Sequence, residues 1–257
     1  MASRSYKTEA VVLRSFRLGE ADRVLHLYTL DRGRVGAVAK GVRKTKSRFG
    51  ARLEPLSHVA LMLHEGAGEL QTVTGAELVR PHSASREDYY RLSVGLIGAE
   101  AMLRLFSEQE ANERAFTALT RFLDVLDELP TQDPHGSPVV TARPALDPLV
   151  LSFQLKLLWL SGYLPHLTSC AECGQAGVTL VGYSPRAGGA ICAACASRTE
   201  ALGLSPEGIG GIEALLGSPL ADAAGAGLGE RASRDALKVI TTSYEYHGGF
   251  RLRTLSA

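Results

Sequence analysis

Apolar residues recur in short alternating runs along the first 80 residues and at helical spacing after Pro81. Residues 10–13, 24–30, 35–39, 59–63 and 70–79 are rich in β-branched and aliphatic side chains. Gly19, Pro55 and the stretches 31–33 and 66–68 separate them, so the pattern predicts five short strands. From 85 to 106 and from 112 to 129 the period becomes helical, the second run through Phe116, Leu119, Phe122, Leu123 and Leu126, with Asn112 as N-cap and Pro130 as a stop. TQDPHGSPVVTARP has no period and reads as a linker. Residues 147–161 are apolar almost all round, which predicts a helix through the centre of a helical domain; 206–216 and 231–246 predict two more helices.

Five strands within the first 80 residues make a small β-barrel, and an oligonucleotide/oligosaccharide-binding (OB) barrel or an SH3-like barrel would show the same pattern. The expected architecture is α+β and multidomain: a barrel over 1–80, then a helical domain over 81–257 that carries an insertion at about 168–198. No apolar run approaches the roughly 18 residues of a membrane span, and there is no apolar leader, so a cytoplasmic protein is expected.

Charge sharpens this picture. The chain's formal net charge is only +1, but residues 1–80 hold 14 Lys and Arg against 8 Asp and Glu. The remainder is acidic. KGVRKTKSRFGAR, residues 40–52, carries Lys40, Arg43, Lys44, Lys46, Arg48 and Arg52 and no acid. It falls between two predicted strands and reads as a long loop. Six cations that repel one another, with Arg14, Arg17 and Arg23 on neighbouring segments, point to a polyanion that neutralises them. Phe49 is the candidate for stacking on a base.

The four cysteines form two C-x-x-C pairs, Cys170 with Cys173 and Cys192 with Cys195. Two such pairs flanking a predicted hairpin, with its turn at 184–189, describe a zinc ribbon holding one structural Zn2+, because four thiolates leave no open coordination position for chemistry. Catalytic signatures fail. Gly36 and Gly41 have P-loop spacing, but Val42 stands where the lysine belongs, and H-E-x-x-H and G-x-S-x-G are absent. A protein without a catalytic site or small-molecule substrate is expected.

The run EAVVLRSFRLGEADRVLHLYTLDRGRVGAVAKGVRKTKSRFGARLEPL, with its E-A-D stretch, T-x-x-x-G turn and K-G-x-R-x-x-K-S signature, resembles the N-terminal domain of the bacterial RecO family of DNA repair proteins. The resemblance continues through the helical part, the cysteine pairs and the final helix. It implies an OB-fold domain that binds single- and double-stranded DNA and anneals complementary strands. It also implies partnership with RecR, engagement of the single-stranded DNA-binding protein SSB through its C-terminal tail, indirect action on the RecA recombinase, and a nucleoid-associated location. For the acidic, apolar SSB tail, Lys156 with Arg231, Arg234 and Lys238 of the last helix would rim a hydrophobic groove. A zinc-ribbon RNA-binding or transcription-associated module, and a protein interaction scaffold, are the competing classes.

Overall fold

The computed structural model describes residues 5–47, 49–130 and 143–255; Arg48 and most of the predicted linker lie outside the described residues. The chain divides into two compact units, Met1–Leu129 and Pro130–Ala257.

In the first unit, β1 (Ser5–Leu18), β2 (Asp22–Thr29), β3 (Gly33–Ala39), β4 (His58–His64) and β5 (Gln71–Arg80) form a barrel closed in the order β1-β2-β3-β5-β4. The residues along β1 pair first with β4 and then with β2, overlapping only at Ala10 and Val11. A short parallel pairing, Ala37 with Gln71 and Val38 with Thr72, joins β3 to β5. That strand order is OB-like and decides between the two barrels that the sequence pattern allows. Alternate residues fill the interior, among them Ala10, Val12, Leu25, Leu27, Val59 and Val73.

One irregularity sets which side chains face outward. Val12 pairs with Leu27, but Arg14 pairs with His26, so Leu13 is the extra residue of a β-bulge. Strand side chains alternate with a period of two, and one inserted residue exchanges the faces. Arg14 and Phe16 therefore stand outside although they share the parity of Ala10 and Val12 in the core.

The helices α1 (Ser83–Glu87), α2 (Tyr89–Leu105) and α3 (Glu113–Glu128) pack in this same unit, whereas periodicity alone grouped them with the later helices. The single helix expected over 85–106 is broken at Asp88. Its backbone is extended and its carboxylate accepts the Arg91 N–H, so it caps α2 instead of continuing α1. Asn112 caps α3 as its sequence predicts, accepting from the Ala115 N–H. Buried Arg91 donates to the carbonyls of Asp127 and Leu129, which terminate α3.

The second unit is built round α4 (Pro148–Leu160), capped by Asp147 and buried on nearly every side except at Trp159. After it come a hairpin of β6 (Leu180–Ser184) and β7 (Gly189–Cys192), the short α5 (Ala193–Ala196), β8 (Leu202–Gly203), α6 (Pro206–Gly217) and α7 (Glu230–Gly248). Tyr183 is buried and its hydroxyl lies 2.7 Å from Ser243 Oγ, which fastens the hairpin to α7. Lys156 does not rim a groove, contrary to the sequence expectation. Its ammonium donates to the carbonyls of Leu215, Leu216 and Ser218 at 3.1, 3.2 and 2.8 Å, capping the C-terminal end of α6.

The N-terminal end of α6 hangs on one carboxylate of α7. Asp235 Oδ2 accepts both the Ser205 N–H at 2.9 Å and the Ser205 hydroxyl at 2.8 Å, and Ser205 Oγ in turn accepts the Gly208 N–H. A Cβ on Gly208 would stand 2.6 Å from Asp235, so this crossing admits only glycine without rearrangement. Burial alone would raise the Asp235 pKa, but the Ser205 donors and Lys238 outweigh it and hold the carboxylate below its usual range.

Asp235→Ala is expected to strip both Ser205 donors and to cost the second unit roughly 1–3 kcal/mol. Gly208→Ala should also be destabilising, through overpacking. The chain's single tryptophan, Trp159 in α4, reports this unit's urea unfolding directly. Because the folded-state pKa is depressed, the Asp235 contribution is complete above the ordinary carboxylate pKa and is lost as pH falls through the lower folded value. The difference between wild type and Asp235→Ala should therefore be full at neutral pH and shrink in strong acid.

Candidate nucleic-acid interface and metal centre

The basic loop leaves β3 at Lys40 and is tied to the carbonyls of the β1–β2 turn and to the Asp22 carboxylate at the start of β2. Gly41 N–H donates to Asp22 Oδ1 at 2.7 Å, Arg43 N–H to the Ala21 carbonyl, and the Arg43 guanidinium to the carbonyls of Gly19 and Glu20 at 3.3 and 2.9 Å. Arg43 thus anchors the loop while remaining exposed. Arg52 donates to the Phe49 carbonyl in the 3-10 turn Gly50–Leu53.

Lys40, Lys44 and Lys46 are exposed and make no ion pair among the described residues. Arg14 and Arg17 on β1 are exposed as well. Arg23 differs: its guanidinium meets both oxygens of Glu54 at 3.1 Å, so much of its charge is already balanced. Arg48 lies outside the described residues.

Phe49 corrects the sequence expectation. It is only 1% exposed and belongs to the barrel core with Leu53 and Val59, so its ring is not available to a base. The loop's one aromatic residue is its hydrophobic anchor. An apolar side chain flanked by cations and glycines carries no sequence sign of which way it turns.

An exposed aromatic does exist, at a position that periodicity assigned to no site. Phe16 is 38% exposed on the outer face of β1. The Arg14 guanidinium lies over its ring at 4.3 Å, and His26 of β2 meets it edge-on with centroids 5.4 Å apart. Burial, and then Arg14 and Arg34, lower the His26 pKa, with Glu108 opposing. The S-F-R sequence at 15–17 showed an aromatic beside arginines, but its outward direction depends on the bulge.

The four cysteines come together. Their sulfur atoms all lie within 4.8 Å of one another, three of the residues being buried and Cys173 exposed. Cys170 and Cys173 occupy a turn closed by Gly174 N–H to the Cys170 carbonyl at 2.8 Å, and Gly174 there takes φ 74°, a left-handed conformation that glycine accepts without strain. Cys192 ends β7 and Cys195 sits in the single turn of α5, so the second pair is carried by a strand end entering a helical turn.

The donor set fits a metal ion. Tetrahedral ligation by thiolates at about 2.3 Å places sulfurs about 3.8 Å apart, within the observed spread. Burial opposes ionisation of Cys170, but N–H donors from Cys192, Cys173 and Glu172 prevail and bring its pKa down to about 6. Burial and the neighbouring sulfurs push Cys195 up to about 12. Four thiolates at this separation thus require a cation to coexist. An ion there would add to a small core: among the described residues Ile191 is the buried non-cysteine side chain of this cluster, with partly buried Ala171, Val178, Leu180, Ala187, Ala196 and Ala201 packed against it.

Among the described residues no helix is long and apolar enough to cross a membrane. The family model for recombination protein O, N-terminal, matches residues 1–82, and that for recombination protein O, C-terminal, matches residues 86–256. The chain is 41% identical to the DNA repair protein RecO of Rubrobacter xylanophilus over 89% of its own length and 88% of that protein's. It is 39% identical to the DNA repair protein RecO of a Nocardioides species over 74% of each chain. With that of Anaeromyxobacter sp. strain K it shares 34% identity over 96% of this chain and 92% of the relative. An OB-like barrel with a cation-rich loop, followed by helices that carry a four-cysteine cluster, is thus matched along its whole length, and the chain belongs to the RecO family of DNA repair proteins.

Proposed function

We propose that this protein is a recombination mediator that binds single- and double-stranded DNA through its barrel, anneals complementary strands and, with RecR, helps to load RecA onto SSB-coated single strands. The observation that carries the DNA-binding part is the group Lys40, Lys44 and Lys46, exposed and without ion pairs among the described residues, on a loop pinned to the barrel by Arg43. Cations left without carboxylate partners on an anchored loop are arranged to meet phosphate. Annealing then needs no active site. Phosphate contacts lower the repulsion between two strands and leave the base edges free to pair.

The metal is zinc, one ion held by Cys170, Cys173, Cys192 and Cys195, and its role is to hold the β6–β7 hairpin together. The SSB tail docks on the second unit, in a cleft lined by Leu204, Arg231, Arg234 and Lys238. Arg234 and Lys238 are already paired with Glu230 and Asp235, which leaves Arg231 as the main cation for the tail's carboxylates.

Three measurements check these assignments. Replacing Lys40, Lys44 and Lys46 together with Ala should flatten the log–log dependence of single-strand affinity on salt by about two, since each lost phosphate contact contributes roughly 0.7. Annealing rates should fall in parallel while thermal stability stays nearly constant; an unaltered slope refutes the loop as the phosphate contact. Purified protein should contain about one zinc per chain, and Cys170→Ser should release it and destabilise the unit that Trp159 reports. Metal-free protein with a stable second unit refutes the zinc assignment. Arg231→Glu should weaken binding of an SSB tail peptide several-fold without changing DNA affinity; unchanged peptide affinity removes the cleft as the docking site.

A further inference from the structure

We propose that Phe16, with Arg14 and His26 against its ring and Leu70 over Gly36 beyond them, forms a stacking platform for an unpaired nucleobase on the outer face of the barrel. The proposal rests on the DNA-binding reading above and adds a distinct contact to it, one that reads bases instead of phosphates.

The platform is a consequence of register. Across the strands the outward neighbours of Phe16 are Val24 and Val38, and those of Arg14 are His26 and Gly36. Leu70, 42% exposed, leans over Gly36, where a Cβ would stand 2.7 Å from its Cδ2. Leu18, 43% exposed, extends the apolar surface along β1. The next row outward lies just past the end of β3, where Lys40, the first cation of the basic loop, follows Val38 by two residues. Asp22, the carboxylate of that row, is engaged by the Gly41 N–H. An apolar, aromatic surface bordered by Arg14 on one side and Lys40 on another complements a single strand, whose bases and phosphates alternate at comparable spacing. A protein partner without an acidic segment would not call for cations on both margins.

The Arg14 guanidinium now covers the Phe16 ring. An exposed cation–π contact is worth about 2- to 5-fold in an equilibrium constant, whereas a base stacked on an aromatic is worth about 5- to 150-fold. A base therefore displaces the guanidinium, and the flexible Arg14 side chain moves to the adjoining phosphate, where charge pairing is stronger than at the ring. Duplex DNA gains nothing from this platform because its bases are already stacked.

The experiment compares wild type, Phe16→Ala, Phe16→Leu and Phe16→Trp on an oligothymidylate, on an abasic strand of equal length and on a duplex, each across a salt series. Phe16→Ala and Phe16→Leu should lose about 5- to 150-fold on oligothymidylate, with the salt slope unchanged, and neither should lose affinity for the abasic strand or the duplex. Phe16→Trp should match or exceed wild type. Leucine retains the apolar contact, so it carries the test should the alanine variant fold poorly. Equal losses on oligothymidylate and the abasic strand would overturn the platform, as would unchanged affinity on all three, which would mark the patch as a protein-facing surface. In either case a flattened slope in the Lys40, Lys44 and Lys46 variant would leave the DNA-binding reading standing, whereas failure of both sets would remove both.

Discussion

The first unit depends on closure of its barrel through β1, which must hydrogen-bond along both edges. A strand that leaves one neighbour and joins another has to bend, and the extra residue at Leu13 supplies the bend. Closure satisfies the backbone of a five-stranded sheet without leaving an open edge. The same inserted residue turns Arg14 and Phe16 to the outside, so a requirement of folding also decides which chemistry the surface presents. Without the bulge their parity would direct both into a core filled by Ala10, Val12, Leu25 and Leu27.

The cation-rich loop illustrates a related economy. Phe49 and Leu53 bury themselves in the barrel, Arg43 grips the carbonyls of the β1–β2 turn and the Asp22 carboxylate takes only a backbone N–H of Gly41, so the loop is held without a carboxylate meeting its lysines. Pairing those lysines with carboxylates would have cancelled the charge that the loop carries. Arg23, which pairs with Ala39 just before the loop, shows with Glu54 what that alternative looks like. Placement without neutralisation leaves Lys40, Lys44 and Lys46 available to an outside polyanion.

The second unit solves a different problem. Its central helix is buried nearly all round and satisfies its neighbours' termini through Lys156, while Asp235 organises the start of α6. The cysteine subdomain gathers four sulfurs round one point within a small apolar cluster about Ile191. Tyr183 then joins that subdomain to α7 through Ser243, so the cysteine hairpin and the helix packing are linked within this unit.

Much of this architecture was legible in the sequence because it follows from local rules. Alternation specified five strands, helical spacing with the cap Asn112 specified α3, an almost continuous apolar run specified α4, and C-x-x-C spacing specified which four cysteines come together. What it could not decide were directions and competitions. Asp88 chose capping over helix continuation, Phe49 chose the core over solvent, and Lys156 chose the carbonyls of α6 over a groove. The last two depend on partners far away in the chain, whereas the first is a local competition between two backbone arrangements. The register of β1 is the sharpest case: the pattern predicts a strand over 10–13, whereas β1 runs from Ser5 to Leu18, and the bulge that exchanges its faces at Leu13 is set by the strands it pairs with, which the local pattern does not contain.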